Sequence, residues 1–236
     1  MNILITGASR GIGRELLNRY LKKADKIYAV ARNTDRLKNL QNVEPVNLDL
    51  ADLDKVREFA KSLKNIDLVI ANAAISLPHS PDFTPFEDFK KTFDVNFLSI
   101  HALLEGIVPD MQKRKKGKIV LISSLASLVG APSSMPYSAS KRAINSYAQS
   151  LRNMLEKDNI KVINILPGFI KTDMTDKNDF YMPFLMDLQS GVDKIVYAIE
   201  KEKKEYAFPK RFYYLIKLFN MLPLNVQDKL LQKTAK

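Results

Sequence analysis

The strongest constraint on the fold is an alternation of two kinds of segment along the chain. Short apolar runs typical of β-strands span residues 2–6, 27–30, 43–48, 67–71, 118–123 and 162–166. Between these runs, segments of helical period span residues 11–23, 52–63, 86–113 and 137–158. Asp52 is placed to cap the second of these helices. Such an alternation predicts a parallel sheet whose two faces are both covered by helices.

Composition narrows the chemistry that the chain can perform. With 236 residues, 46% of them hydrophobic, and only 8 Gly and 11 Pro, it has the composition of a globular chain with a sizeable core. The sequence has no Cys, and only His79 and His101 carry an imidazole. Disulfides, thiolate nucleophiles and Cys-ligated zinc are therefore excluded, and we expect no bound metal.

Net charge and hydropathy bear on the partners of the protein and on its location in the cell. There are 37 Lys and Arg against 26 Asp and Glu, a net charge of +11. These cations are spread along the chain without a recognition helix or stacking motif, which favours solvated faces and attraction for an anionic cofactor over nucleic acid. No apolar run approaches the ~20 residues of a membrane span. The chain starts directly with a strand, MNILIT, so we expect a cytoplasmic protein.

A glycine-rich turn joins the first strand to the first helix. Gly7, Gly11 and Gly13 follow the strand and start the helical segment. A helix N-terminus with closely approaching backbone is suited to bind a phosphate, because its N–H groups and dipole attract negative charge. The alternative is a tight turn in which the glycines serve geometry only.

A second motif places a tyrosine and a lysine on one face of a helix. Tyr137 and Lys141 are four residues apart, and Ser124 lies at the carboxyl end of the fifth predicted strand. A neighbouring ammonium favours the phenolate, which helps a tyrosine to exchange a proton near neutral pH. Taken alone, the pair could also be an ordinary surface contact.

Further segments complete a familiar order. Asn72-Ala73-Ala74 follows the fourth strand, Asn96 lies in the third helix, and residues 167–172 follow the sixth strand. Over residues 1–172 the sequence resembles the short-chain dehydrogenase/reductase family in its compact single-domain form. Ala74 stands where that family usually has Gly. The resemblance implies a Rossmann-type doubly wound α/β sheet of order 3-2-1-4-5-6-7, in three layers, with a small helical C-terminal extension.

The resemblance also implies hydride transfer between a nicotinamide and a carbonyl or alcohol carbon. Tyr137 would be the general acid in reduction and the general base in oxidation, with Ser124 binding the substrate oxygen. Lys141 would lower the pKa of Tyr137 and bind the nicotinamide ribose. Asn96 would help to hold a water chain that resupplies the proton.

The end of the second strand bears on the choice of cofactor. Ala31 stands where NAD-preferring relatives place an Asp, Arg32 follows it, and Arg10 lies in the glycine loop. Two guanidinium groups suit a 2′-phosphate, so we expect NADP(H), although Arg32 could also be a solvated loop residue. The residues expected to bind the cofactor are Gly7, Ser9, Arg10, Gly11, Ile12, Arg32, Asp49, Leu50, Asn72, Ala73, Tyr137, Lys141, Pro167, Gly168, Ile170 and Thr172.

Residues 173–236 are expected to form a substrate lid and a basic extension of a single domain, 1–236. The lid, residues 175–189, is apolar, which fits an apolar substrate but also core or interface packing. In the extension, the helical period places Phe212, Leu215, Ile216 and Phe219 on one face with cations beside them. That face could dock on the domain, form a subunit contact or lie on a membrane; we favour the first two.

These inferences together predict an NADP(H)-dependent carbonyl reductase acting on an apolar, small-molecule keto substrate. A 3-oxoacyl reductase is an alternative within the same enzyme class. A nucleotide-binding regulatory or membrane-associated module without turnover is an alternative outside it. We expect a homo-oligomer, either a dimer or a tetramer.

Overall fold

The core of the fold is a parallel sheet of seven strands. A computed structural model describes residues 1–76, 83–130, 132–178 and 180–234, so His79 lies outside the described residues. The strands are β1 (Asn2–Thr6), β2 (Lys26–Ala31), β3 (Val43–Asn47), β4 (Ile66–Ala71), β5 (Gly117–Ile122), β6 (Ile160–Pro167) and β7 (Glu205–Phe208). Their order is β3-β2-β1-β4-β5-β6-β7, and each neighbouring pair is parallel. The predicted sheet and its order are confirmed.

Helices connect the strands. They are α1 (Gly11–Tyr20), α2 (Leu53–Ser62), α3 (Phe86–Phe93), α4 (Ser99–Arg114), α5 (Met135–Leu155), α6 (Leu188–Glu200), α7 (Lys210–Phe219) and α8 (Leu224–Thr234). The predicted cap of α2 is confirmed, because the Asp52 carboxylate accepts a hydrogen bond from the Lys55 N–H at 3.2 Å. The third predicted helix is interrupted by a π-helical turn, Asp94–Leu98, which separates α3 from α4.

Each face of the sheet packs against its own layer of helices. On one face, Leu4 of β1 lies in a buried cluster with Val56 of α2, Leu103 of α4 and Leu151 of α5. On the other face, a second cluster joins the central strands to α1 and α6; its members include Ile3, Ile5, Leu16, Leu17, Ile195 and Ile199. Adjacent residues of β1 thus point to opposite helical layers, as the continuous apolar strands predicted.

The direction in which successive strands are added to the sheet reverses after β3, on the two sides of β1. β2 and β3 lie on one side of β1, and β4 to β7 lie on the other. The connections that leave β1 and β4 therefore run apart, and such a reversal of strand order opens a crevice at the carboxyl ends of the strands.

The C-terminal helix α7 packs against the sheet edge near β7. Ile216 of α7 is buried in a small cluster with Leu125, Leu166 and Ala207. Of the four residues predicted to share an apolar face, Ile216 is buried and Phe212 and Phe219 are partly buried, whereas Leu215, at the edge of that face, is 54% exposed. No helix in the described ranges is long and apolar enough to cross a membrane.

Helices α2 and α4 approach each other closely at one glycine. A Cβ added to Gly106 of α4 would lie 2.6 Å from the Ala60 carbonyl carbon of α2. That contact is with backbone, so no side-chain rotation can relieve it. In contrast, a Cβ at Gly191 of α6 would meet the side chain of Ile170, at 2.7 Å.

We therefore expect Gly106→Ala to be the more destabilising of two matched helical substitutions. Gly106→Ala and Gly191→Ala gain similar helix propensity, but only the first forces two backbones apart. Its free energy of unfolding should fall by about 2 kcal/mol more than that of Gly191→Ala in urea denaturation. Equal stability of the two variants would contradict this account of the α2–α4 contact.

Candidate active site

A cleft of about 690 Å³ runs along the carboxyl ends of the strands. The segments that follow β1 to β6 all contribute to its wall. Every residue expected to bind the cofactor lines it, and so does Ser124. Ala74, where the related family usually has Gly, also lines the cleft. Parallel strands ending at one edge bring these distant motifs together.

The glycine loop forms one end of the cleft. Gly7 and Gly11 have φ angles of 68° and 53°, which lie in the left-handed region that favours glycine. A Cβ at Gly13 would lie 2.1 Å from the Gly7 carbonyl oxygen, so α1 packs directly on the turn. The N-cap residue Arg10 makes no capping side-chain hydrogen bond. The first-turn N–H groups of α1 are therefore suited to receive an anion.

Thr6 accepts three hydrogen bonds that join the ends of β1 and β4 beneath the cleft. Its hydroxyl accepts from the Asn72 N–H at 3.1 Å and from the Ala73 N–H at 3.0 Å. The Asn72 side-chain amide donates in return to the Thr6 carbonyl at 3.0 Å. The sequence analysis did not single out Thr6, although its place between the strand and Gly7 was a usable signal.

Ser124 and Tyr137 meet inside the cleft. The Ser124 hydroxyl accepts from the Ala126 N–H at 3.1 Å, and it lies close enough to the Tyr137 phenol for hydrogen bonding to lower the pKa of that phenol. Burial raises the pKa of the Tyr137 phenol, and the hydrogen bond with Ser124 only partly opposes this rise. Tyr137 is therefore protonated at neutral pH, which is the form that can donate a proton to a carbonyl oxygen.

Lys141 lies one helical turn from Tyr137 and is buried. Its Nζ donates to the Ile122 carbonyl at 2.7 Å and lies 5.7 Å from the centre of the Tyr137 ring. Burial lowers the pKa of Lys141 to about 7. The expected lowering of the Tyr137 pKa is thus not observed, because desolvation raises the pKa of Tyr137 and weakens the positive charge beside it.

Asn96 is the predicted catalytic residue that does not line the cleft. It is fully buried in the π-helical turn, where its side-chain oxygen accepts from the Ile75 N–H at 2.8 Å. Its amide donates to the Ile75 carbonyl at 3.0 Å and to the Ser140 hydroxyl at 3.1 Å. Asn96 thereby connects the loop after β4 to the helical turn that carries Lys141.

Two cations that the sequence analysis missed also line the cleft. Arg36 lies beyond β2, four residues after Arg32, and Lys91 lies on α3 across the cleft. The spacing of the two arginines was a usable signal for Arg36. Lys91 had no local signal, because only the packing of α3 brings it to the cleft.

Aromatic rings border the substrate side of the cleft. Phe169 lies 6.0 Å from both Phe180 and Phe212, and Phe184 lies 5.8 Å from Phe212, measured between ring centres. Phe180 and Phe184 are 47% and 40% exposed, so these lid side chains are not part of the hydrophobic core. Met186, by contrast, packs against the core.

The described residues contain no group of three His, Asp or Glu side chains that could hold a metal ion. His101 instead contacts the Tyr147 hydroxyl at 2.8 Å. The N–H groups, hydroxyls and cations that line the cleft suit an anionic organic molecule.

Comparisons with known proteins agree with this geometry. A family model described as short chain dehydrogenase matches residues 1–180. An uncharacterized oxidoreductase of Myxococcus xanthus is 32% identical over 232 residues, which cover 93% of this chain and 92% of the relative. Some other curated relatives, from animals and a plant, are longer, and the matches span 58 to 60% of their length.

Solved structures share the fold over nearly the whole chain. A short-chain dehydrogenase from Burkholderia cenocepacia, in complex with NADP, matches with a TM-score of 0.85 and 25% identity, covering 97% of this chain and 96% of that one. A 4-hydroxyisoleucine dehydrogenase complexed with NADH matches with a TM-score of 0.78 and 24% identity, covering 87% and 96%. The chain thus belongs to the short-chain dehydrogenase/reductase family of oxidoreductases.

Proposed function

We propose that this protein is an NADP(H)-dependent reductase of an apolar ketone or aldehyde. The observation that carries the proposal is the hydrogen-bonded pair of Ser124 and Tyr137, with Lys141 beside it, inside the cleft that starts at the glycine loop. A proton donor, an oxygen-binding hydroxyl and a titratable lysine are the groups that carbonyl reduction requires from the protein.

The described residues fit a dinucleotide. The α1 N-terminus would hold the diphosphate, and the close approach of Gly7 to Ala73 leaves backbone rather than side chain at that point: a Cβ on Gly7 would lie 3.0 Å from the Ala73 Cα. Tyr137, Lys141 and residues 167–172 would hold the nicotinamide half. When bound, the nicotinamide supplies the hydride.

Charge favours NADP(H) over NAD(H). The related structures named above hold NADP in one case and NADH in another, so the fold alone leaves the choice open. At the end of β2, Arg32 and Arg36 line the cleft, and Arg10 lines it from the glycine loop. Ala31 supplies no carboxylate to a ribose 2′-hydroxyl there. These guanidinium groups suit a 2′-phosphate.

The roles of the remaining groups follow from their contacts. In reduction, Tyr137 gives the proton of its hydroxyl to the substrate oxygen, and the Ser124 hydroxyl donates a hydrogen bond to that oxygen. Protonated Lys141 stabilises the phenolate that remains. Asn96 acts as a positioning residue, because it fixes the loop at Ile75 and the turn at Ser140. The aromatic lid around Phe169 favours an apolar substrate.

The first prediction concerns the proton donor. Tyr137→Phe should lower kcat by about 10³-fold, because general acid catalysis contributes roughly 10²–10⁴-fold, while NADPH binding changes little. The matched control is Tyr147→Phe on the same helix, whose hydroxyl contacts His101 instead. Rates on a panel of apolar ketones and aldehydes are followed by NADPH absorbance, and NADPH binding by its fluorescence. A Tyr137→Phe enzyme with the wild-type rate would overturn the assignment.

The second prediction concerns cofactor choice. The wild type should bind NADPH more tightly than NADH, and Arg32→Ala should weaken NADPH binding by about 10- to 100-fold without changing NADH binding. Arg57→Ala is the control, because Arg57 pairs with Glu105 at 2.8 Å outside the cleft lining. Titration calorimetry measures both cofactors. Equal affinities in the wild type would refute the NADP(H) preference.

The third prediction concerns the buried lysine. Folding lowers the pKa of Lys141 from 10.5 to about 7, so above pH 7 the unfolded lysine holds a proton that the folded one releases. Stability should therefore rise with pH above about 7. Between about pH 7 and pH 9, the cofactor-free wild type should gain about 2 kcal/mol of unfolding free energy relative to Lys141→Met.

Urea denaturation at each pH measures this difference. Lys161→Met, which removes an exposed lysine of β6, is the control and should keep the wild-type slope. Parallel pH profiles for the wild type and Lys141→Met would show that Lys141 keeps its ordinary pKa in the fold.

A further inference from the structure

The C-terminal helices leave apolar side chains uncovered. On α7, Tyr214, Leu215 and Leu218 are 64%, 54% and 62% exposed, and beyond it Met221 and Leu224 are 80% and 73% exposed. We call these residues, together with Leu222, the C-terminal patch. Single exposed apolar residues are common on protein surfaces, but a contiguous stretch of them indicates an interaction surface.

The patch is the outer face of a helix whose inner face is already packed. Phe212 and Ile216 of α7 contact the cluster of Leu125 and Leu166, which accounts for docking of the helix on the domain. The helical period places Tyr214 and Leu218 on the opposite side from Ile216. Docking on the domain therefore accounts for the inner apolar face of α7 and leaves its outer apolar face exposed.

The segment that carries the patch is rich in cations. Residues 209–234 contain five Lys and Arg (Lys210, Arg211, Lys217, Lys229 and Lys233) and one acid, Asp228, a net charge of 5 − 1 = +4. Lys210 and Lys217 lie over the Tyr213 ring, at 5.5 and 5.7 Å from its centre. Within the described ranges, Lys210, Arg211 and Lys217 form no ion pair with a carboxylate. The local charge is thus available to an anionic partner.

This charge favours a lipid surface over a second copy of the chain. A two-fold contact would bring the same patch of both subunits together and place like charges against each other. An anionic bilayer instead offers apolar depth to the leucines and negative head groups to the lysines and arginines. Helices with apolar and aromatic side chains flanked by cations are typical of such interfacial binding.

The patch also adjoins the substrate lid. Phe212 on the inner face of α7 contacts Phe169 and Phe184 of the lid region. At the end of α7, the Asn220 amide donates to the Leu128 carbonyl at 2.9 Å, four residues after Ser124. Helix α7 therefore lies beside the substrate end of the cleft, with its inner face toward the lid and the patch on its outer face.

We propose that the C-terminal patch binds the surface of an anionic bilayer, with α7 lying in the interfacial region and its cations at the head groups. Because α7 then lies between the bilayer and the lid, the substrate end of the cleft is close to the membrane surface, from which an apolar carbonyl compound can reach it. This second consequence rests on the proposed reductase function; the binding itself does not.

The test is co-sedimentation of the full chain with vesicles, without cofactor or substrate. Wild-type protein should bind vesicles of phosphatidylcholine mixed with phosphatidylglycerol, and bind vesicles of phosphatidylcholine alone much more weakly. Raising the salt from about 0.1 M to about 1 M should reduce binding, because the screening length falls from about 10 Å to about 3 Å. Equal binding to both vesicle types would contradict the role of the cations.

Two double variants test whether vesicle binding depends on the patch or on any exposed apolar side chain. Leu215→Gln combined with Leu218→Gln should weaken partitioning by about 100-fold, about tenfold for each leucine withdrawn from the interface. The control combines Leu98→Gln with Met154→Gln, which removes one exposed apolar side chain from the π-helical turn and one from α5, and should bind as the wild type does. Tyr137→Phe should also bind normally, so loss of turnover and loss of membrane binding are distinguishable.

Light scattering on the same proteins tests whether the patch instead binds a second copy of the chain. If the wild type does not co-sediment and the Leu215→Gln, Leu218→Gln protein dissociates from an oligomer to a monomer, the patch is a subunit interface and the proposal is wrong. Equal vesicle binding by the wild type and this variant would also overturn it. Circular dichroism confirms that each variant is folded before either result is interpreted.

Discussion

The hydrogen bonds between Thr6 and the Asn72–Ala73 backbone hold together the two strands at which the sheet order reverses. These bonds continue the β1–β4 pairing past Ile5 and Ile70, so they help to fix the separation of the two loops that leave these strands and border the crevice. A glycine is also needed at position 13, because any side chain there would collide with the Gly7 carbonyl on which α1 packs. The glycine loop, the β4 loop and the start of α1 therefore form one unit, and the cleft is built on it.

At the other end of the cleft, burial sets the chemistry. Tyr137 and Lys141 share one helical face, but the effect of that proximity is smaller than the effect of removing both groups from water: the pKa of the phenol rises and that of the ammonium falls. A lysine with a pKa of about 7 is sensitive to its surroundings, so an anionic ligand close to it would favour its protonated form. Asn96 supports this arrangement indirectly, through Ile75 and Ser140.

Many features of the fold and site were predictable because they depend on local patterns. The strands, the Asp52 cap and the glycine turn follow from residue spacing, and their order along the chain indicated the family. Arg36 and Lys91 show where such reasoning ended: both line the cleft, yet only the packed positions of α3 and of the segment after β2 bring them to it. Leu215 lies at the exposed edge of the predicted apolar face, because the helical period gives relative angles and does not say which side meets the domain.

The sequence by itself determined the class of fold, the strand order through its family resemblance, and the motifs that meet at the sheet edge, since these depend on periodicity, glycine geometry and residue spacing. Only the tertiary structure decided that Asn96 is buried outside the cleft, where it hydrogen-bonds Ile75 and Ser140. It also decided that desolvation sets the pKa values of Tyr137 and Lys141, and that α7 has a second, uncovered apolar face. Burial is a property of what packs around a residue, and distant segments supply that packing.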